Sequence, residues 1–356
     1  MLWLIALPTL LLLISIINFF TIRSPRADSV IVDSVSVIVP LRNEAENVSG
    51  LVQSLLSQKS LKSVEFIFLD DNSEDETLEL LRLAVSGNTN MQIIKGAPLP
   101  SGWIGKSWAL HQLLAASKGN IIVSIDADVR ITPDAISRSI TLMKSSTLDF
   151  LSPYPRQIAK TLGEQLIQPL LQWSWMSTLI LAIAERASFS SMAVANGQFF
   201  IVRKDALVLA GGYESVKAAV LDDVFLARTL VKSGAHGVVV NGADIAQCRM
   251  YTSWSEIKAG YGKSLRYAFG SSFGSLCAIL FIFLTGIAPL VFALTGSVWG
   301  WVAFALMVGT RILNAIRSRS RIIDSLFHPI SSTLLIYLII YSYLMRGEIS
   351  WKGRAI

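Results

Sequence analysis

Three clusters of acidic and polar side chains recur after short apolar runs. Arg42-Asn43-Glu44 follows VSVIVP, Asp70-Asp71-Asn72 follows VEFIFL, and Asp126-Ala127-Asp128 follows IIVSI. In extended backbone, alternate side chains point the same way, so Asp126 and Asp128 can share one site. Such hard carboxylate oxygens suit Mg2+ or Mn2+, ions usually held by one or two carboxylates together with substrate phosphates. Lys106 comes just after Gly105 and just before a helical stretch. A lysine and a helix N-terminus both favour phosphate, although a solvated cation is also common at a helix start. Turn chemistry alone draws Asp and Asn to strand ends. Three such clusters in succession go beyond what turns require.

The elements that must position these groups alternate. Val35–Pro40, Val64–Leu69, Met91–Ile94 and Ile121–Ile125 read as strands from their β-branched or apolar runs. Glu44–Ser57, Glu74–Leu83, Ser107–Ser117 and Pro133–Met143 read as helices between and after them. Strand alternating with helix predicts an α/β fold with a mostly parallel, Rossmann-like sheet covered on both faces. Ligands in such sheets bind outside the carboxyl ends of the strands, where the three clusters lie.

The rest of the chain is apolar. Of 356 residues, 52% are hydrophobic and only 16% charged, with a formal net charge of +6 and a mean hydropathy of +0.53. Globular chains run nearer a quarter charged. This excludes a disordered tail, a nucleic-acid-binding arm and an ordinary soluble enzyme. Residues 1–22 carry no charged side chain and are long enough to span about 30 Å of hydrocarbon. No basic residue precedes the run and no small-residue cleavage site closes it, so it reads as a retained anchor rather than a signal peptide. Tyr267 to Thr310 is again uncharged and too long for one span, with Thr295, Gly296 and Ser297 as the turn between two helices. Ser325 to Met345 supplies a third span. The expected division is an anchor (1–22), a soluble domain (23–270) and a membrane region (271–356).

Arg23 and Arg26, and then Arg317, Arg319 and Arg321, place the domain on the cytoplasmic side of an inner or cytoplasmic membrane by the positive-inside rule. Arg346, Lys352 and Arg354 would emerge on the far side if all three later segments cross, which leaves a re-entrant C-terminal segment as an alternative. Gln165 to Ala184 is uncharged, with Gln165, Gln168 and Gln172 at helical spacing. It reads as an amphipathic helix near 163–184 lying in the interface, with a buried helix as the alternative. Cys248 and Cys277 make neither a disulfide framework nor a zinc site. His111, His236 and His328 are scattered and read as structural.

The segments VSVIVPLRNEAENV, FIFLDDNSEDET, SIDADV and LDDVFLAR resemble the family 2 glycosyltransferases with the GT-A fold. PLPSGWIGKSWAL and the ending ISWKGR are similar to the membrane-bound branch that includes hopanoid-associated and carotenoid (diaponeurosporenoate-type) glycosyltransferases. The resemblance covers nearly the whole chain. It implies an inverting transfer of a sugar from a nucleotide-diphosphate sugar, a UDP-hexose, to a membrane lipid. By it, Asp71 with Asp70 would hold the uracil or ribose, and Pro40, Arg42 and Glu44 would line the same pocket. Asp128 with Asp126 would hold Mg2+ or Mn2+ on the diphosphate, and Lys106 would add to the donor site. Asp223, with Asp222 standing where the family usually has Glu, would be the base.

Asn196, Gly197 and Gln198 are expected at the acceptor pocket. Gln247 to Tyr251 departs from the QxxRW motif of many relatives, because Arg249 and Trp254 are wrongly spaced. That departure argues against processive synthesis, while Arg249 stays a candidate for the diphosphate and Trp254 for the same region. Two other readings remain open. One is a polyprenyl-phosphate sugar synthase, against which PLPSGWIGK argues. The other is a non-catalytic membrane scaffold, against which the presence of both Asp128 and Asp223 argues.

Overall fold

A computed structural model describes residues 3–187, 189–345, 350–351 and 354–355. Arg346 and, of the ISWKGR ending, Ile349, Lys352 and Gly353 lie outside the described residues. The chain forms two compact units. One comprises Arg23–Arg156 and Ala184–Cys248. The other comprises Met1–Ile22, Gln157–Ile183 and Arg249–Ile356.

The first unit carries β1 (Ile31–Leu41), β2 (Leu61–Asp70), β3 (Met91–Lys95), β4 (Ile121–Ile125), β5 (Val129–Ile131) and β6 (Phe150–Tyr154). A two-residue β7 (Arg156–Gln157) follows, then β8 (Phe199–Arg203), β9 (Gly237–Asn241) and β10 (Ala246–Cys248). A seven-stranded sheet runs in the order β3-β2-β1-β4-β8-β6-β9. β1 pairs in parallel with β2 and β4, β2 with β3, and β6 with β9. The apolar runs that predicted these strands are the sheet's interior: Val37, Ile38, Val39, Ile67, Phe68, Ile122 and Val123 are fully buried, as strands covered on both faces must be.

β8 runs antiparallel to β4 and β6, with Phe199 opposite Ile125 and Arg203 opposite Ile121. This reversal has a functional consequence. The carboxyl ends of β1, β2 and β4 share one edge of the sheet, and an antiparallel β8 brings its amino end, Asn196-Gly197-Gln198, to that same edge. Beyond β4, the short β5 pairs antiparallel with β10.

The second unit is helical. Four helices are long and apolar enough to cross a membrane: Leu4–Thr21, Ser272–Leu294, Val298–Ser318 and Ile322–Leu344. Leu11, Ile167, Leu170, Trp173, Met307 and Leu338 belong to its core. The turn expected at Thr295-Gly296-Ser297 lies between Leu294 and Val298, and Gly296 takes a positive φ of 92°. The next helix does not stop at the last uncharged residue, Thr310. It continues to Ser318 and carries Arg311 and Arg317 within it. Arg311 is buried against the Trp173 ring, with Nη1 3.5 Å from His328 Nδ1. Arg317 donates to the Ile22 carbonyl at 2.9 Å. Polar partners inside the unit let a charged residue continue the helix.

The segment expected to lie in the interface forms Leu162–Thr178 and Leu181–Ala187, bent by 66°. Its glutamine stripe does not face outward. Gln168 and Gln172 are buried, whereas Leu162 and Leu171 are exposed. Gln168 and Gln172 are buried along with Ile167, Leu170 and Trp173 of the apolar side, so the helix is covered on more than one face, which helical spacing alone cannot reveal.

Candidate functional site

The four strand ends at the shared edge supply the site. At β4, the backbone reverses directly after Ile125. Asp126 N–H donates to the Gln198 carbonyl at 3.0 Å, tying this turn to the start of β8. Arg130 fixes the turn from below. Its Nη1 donates to the carbonyls of Ala127 and Val129, and its Nη2 donates to the carbonyl and Oδ1 of Asn47. A Cβ on Gly50 would sit 2.6 Å from Arg130 Nε, so glycine there makes room for the guanidinium. Asp126 and Asp128 are thus held by both neighbouring strands and by the helix Ala45–Leu56.

Lys106 reaches Asp126 from the helix Gly105–Ala116, with Nζ 2.7 Å from Oδ1 and 2.8 Å from Oδ2. Burial alone would lower its pKa, but Asp126, Asp222 and Asp223 together hold it well above the ordinary lysine value. Asp223 opens the helix Asp222–Lys232. Its Oδ2 accepts from Gly197 N–H and its Oδ1 from its neighbour Val224 N–H, each at 2.8 Å. Burial pushes this carboxyl above the usual carboxylate range, although Lys106 and the two amides oppose the shift. A Cβ on Gly197 would come within 3.2 Å of Asp223 Cβ and 3.3 Å of Lys106 Nζ. Only glycine leaves that space, and the same distances put Lys106 and Asp223 against one backbone position. Lys106, Gly197, Asp222 and Asp223 line one small pocket.

Asp128 stands on the other side of Asp126. Burial first, then the charge of Asp126, pushes it up to about 6. The Cys248 thiol hydrogen-bonds to it, and Gln198 Nε2 donates to Cys248 Sγ at 3.0 Å. Burial and the Asp128 charge push that thiol well above its ordinary value. Asp128 Oδ1 is buried without a hydrogen-bond partner. No group of three or more potential metal-binding His, Cys, Asp or Glu side chains forms among the described residues. A buried, unsatisfied carboxylate oxygen beside a second carboxylate is the donor set of a divalent ion that takes its other oxygens from a ligand's phosphates. Mg2+ or Mn2+ fits this pair, not a cage made by protein alone.

The loops after β1 and β2 form the adjoining part of the edge. Arg42 is buried and donates from Nη1 to the carbonyls of Asp71 and Asn72, at 2.7 and 2.8 Å, and from Nη2 to Glu74. It therefore shapes the loop that carries Asp70 and Asp71. Asp70 accepts from Ser73 N–H through Oδ2, while its buried Oδ1 has no partner. Asp71 N–H donates to the Leu41 carbonyl, which locks the two strand ends together. Pro40 lies opposite Leu69 one step before the end of β1. Glu44 accepts from Asn47 Nδ2 through Oε2 and adds to the negative field at Asp128, so this loop borders the Asp126–Asp128 turn.

Asn196 and Gln198 mainly hold the segment between them. Asn196 N–H donates to Ser152 Oγ, and Asn196 Oδ1 accepts from Gln198 N–H, both at 2.8 Å. The other two candidates belong to the helical unit. Arg249 Nη2 is paired with the buried Glu164 at 3.1 Å, and Trp254 stacks on Tyr337 with ring centroids 6.4 Å apart. Sequence reasoning missed Arg130, Cys248, Ser124 and Tyr213. Arg130, Cys248 and Tyr213 reach the edge through tertiary pairing, with no local motif to mark them, whereas Ser124 lies within the IIVSI strand itself, two residues before Asp126.

Residues 36–208 match the family described as Glycosyl transferase family 2. The chain is 24% identical to a 4,4'-diaponeurosporenoate glycosyltransferase of Staphylococcus haemolyticus over 264 residues. That match takes in 71% of this chain and 66% of the relative, just under two thirds of its length. The Staphylococcus aureus protein of the same name is 23% identical, over 90% of this chain and 88% of its own. Among solved structures, the mannosyltransferase PcManGT from Pyrobaculum calidifontis, in complex with GDP-Man and Mn2+, superposes with a TM-score of 0.59 at 15% identity. The superposition covers 95% of this chain and 94% of that one, and it shows a shared fold.

Proposed function

We propose, from the match of residues 36–208 to Glycosyl transferase family 2 and from the shared fold, that the chain transfers a sugar from a nucleotide-diphosphate sugar to a membrane lipid, inverting the anomeric carbon. The observation that carries this reading is the meeting of Asp223, Lys106 and Asp126 around Gly197 at the sheet's ligand-binding edge.

In this proposal, Asp70 and Asp71 hold the nucleoside, with Pro40 and Glu44 beside them and Arg42 fixing their loop. Lys106 bears on the diphosphate. Asp126 and Asp128 would hold Mg2+ or Mn2+, which when bound neutralises charge growing on the leaving nucleotide. An acceptor hydroxyl or carboxyl gives its proton to an Asp223 oxygen. Its oxygen bonds to the anomeric carbon as the bond from that carbon to the phosphate oxygen breaks. The nucleoside diphosphate departs with that electron pair. A carboxylate offers about four lone-pair positions, so two backbone N–H bonds leave Asp223 capacity to accept a proton.

The donor we favour is a UDP-hexose and the acceptor a carotenoid or hopanoid-like lipid. The names of the staphylococcal relatives support the acceptor class. Arg23 and Arg26, followed two spans later by Arg317, Arg319 and Arg321, support a domain facing the cytoplasm.

The test is a screen of UDP- and GDP-sugars with membrane lipid extract, with and without EDTA, read by mass analysis of the lipid. The expected result is one glycosylated lipid whose formation EDTA abolishes. Transfer to polyprenyl phosphate alone would replace this reading by a carrier-lipid synthase. No product with any donor would favour a scaffold.

A further inference from the structure

Tyr213 follows two glycines with positive φ, Gly211 at 86° and Gly212 at 59°, and enters the short turn Gly212–Val216. The two glycines permit a reversal that turns the ring inward. Its ring packs in the core with Leu110, Phe200 and Leu226, leaving 2% of the residue exposed. Its hydroxyl reaches the pocket lined by Lys106, Ser124, Gly197, Asp222 and Asp223. There Oη has no hydrogen bond of good geometry, and Ser124 interacts with it as a hydrogen-bonding neighbour. A buried phenol is normally paired, because leaving it unpaired forfeits its hydration.

The pocket has room for a group about the size of one water molecule. Lys106 in its lining is already paired with Asp126 and is outnumbered by Asp222 and Asp223, so the pocket does not suit a phosphate oxygen. A neutral hydroxyl suits it. We infer that Tyr213 Oη donates a hydrogen bond to one hydroxyl of the transferred sugar, and so helps set which sugar the site accepts. This rests on the sugar-transfer reading above. Burial pushes the phenol above its ordinary value, so it stays a donor throughout the working pH range.

Tyr213→Phe removes the hydroxyl and keeps the ring. Binding is measured on the full-length protein in detergent, with melting temperature as the folding control. The probes are UDP, UDP-glucose and its four monodeoxy analogues, with GDP, GDP-mannose and its deoxy series in parallel. Tyr213→Phe is expected to weaken the parent sugar nucleotide about tenfold and leave the bare diphosphate unchanged. One deoxy analogue should bind both proteins equally, and the unaltered protein should bind that analogue about tenfold more weakly than the parent. Equal loss across every sugar, or no loss for any, overturns the inference. Should Tyr213→Phe fail to fold, the deoxy series on the unaltered protein still decides, since a flat series overturns it. If the unaltered protein binds no sugar nucleotide at all, the transferase reading falls too, which distinguishes the two failures.

Discussion

Asp223 combines properties that rarely coincide: it is buried, it is anchored by two backbone amides, and its carboxyl still titrates above the usual range. For a base the sign follows directly. Only the ionised form accepts a proton, so kcat/KM should rise with pH through an acid limb set above an ordinary carboxylate. Stability takes the opposite sign. The fold favours the protonated form, so the contribution of Asp223 declines as pH climbs from the ordinary carboxylate pKa through the raised one. Asp223→Asn should lower turnover at least about 100-fold and leave nucleotide binding intact. Steady-state kinetics paired with calorimetric UDP binding checks both halves, and a fully active variant would remove Asp223 as the base. Asp128→Asn tests a different step. It removes a carboxylate that burial already disfavours, so the fold should persist while the Mn2+ dependence of donor binding disappears. Unchanged Mn2+ titrations would take Asp128 out of the metal site.

At the scale of elements, the candidate site is held by side chains that bond to the backbone behind it. Arg130 joins the Asp126–Asp128 turn to the helix Ala45–Leu56 through four hydrogen bonds. Arg130→Ala should cost about 2 kcal/mol, the penalty for leaving buried carbonyls unpaired. It should also weaken donor binding by loosening Asp126 and Asp128 together. Denaturant unfolding and donor titration on one variant separate the two effects, and a stability loss without any change in donor binding would reduce Arg130 to a packing role.

The same elements show what could be read from the sequence. Strands β1 to β4 were legible because buried parallel strands are apolar throughout, and their acidic ends follow from that register. Asp126 and Asp128 were legible for the same reason. Arg130, Cys248 and Tyr213 were not, because strand pairing and a glycine-driven reversal deliver them. Spacing marked the glutamines of 162–178 as one face, but it could not say that Gln168 and Gln172 are buried as well.

At the scale of the whole chain, topology makes a prediction that no single residue makes. The five arginines at 23, 26, 317, 319 and 321 fall on one side only if an even number of crossings separates the two groups. The helices Ser272–Leu294 and Val298–Ser318 would supply two, provided the bent pair Leu162–Thr178 and Leu181–Ala187 does not cross as well. A cationic flank is retained on the cytoplasmic side during insertion, so the sheet-bearing domain should face the cytoplasm, where nucleotide sugars are made. Trypsin added to sealed inverted vesicles should cleave within 23–270, whereas intact spheroplasts should protect that region. Alkaline carbonate in high salt should leave the chain in the membrane pellet, because helices apolar enough to span, once inserted, do not respond to ionic screening, which cuts charge interactions to about 3 Å at 1 M. Cleavage of the domain in intact spheroplasts would invert the orientation and remove its access to cytoplasmic donor. Release by carbonate would show that the apolar helices do not span, and the lipid acceptor would lose its physical basis.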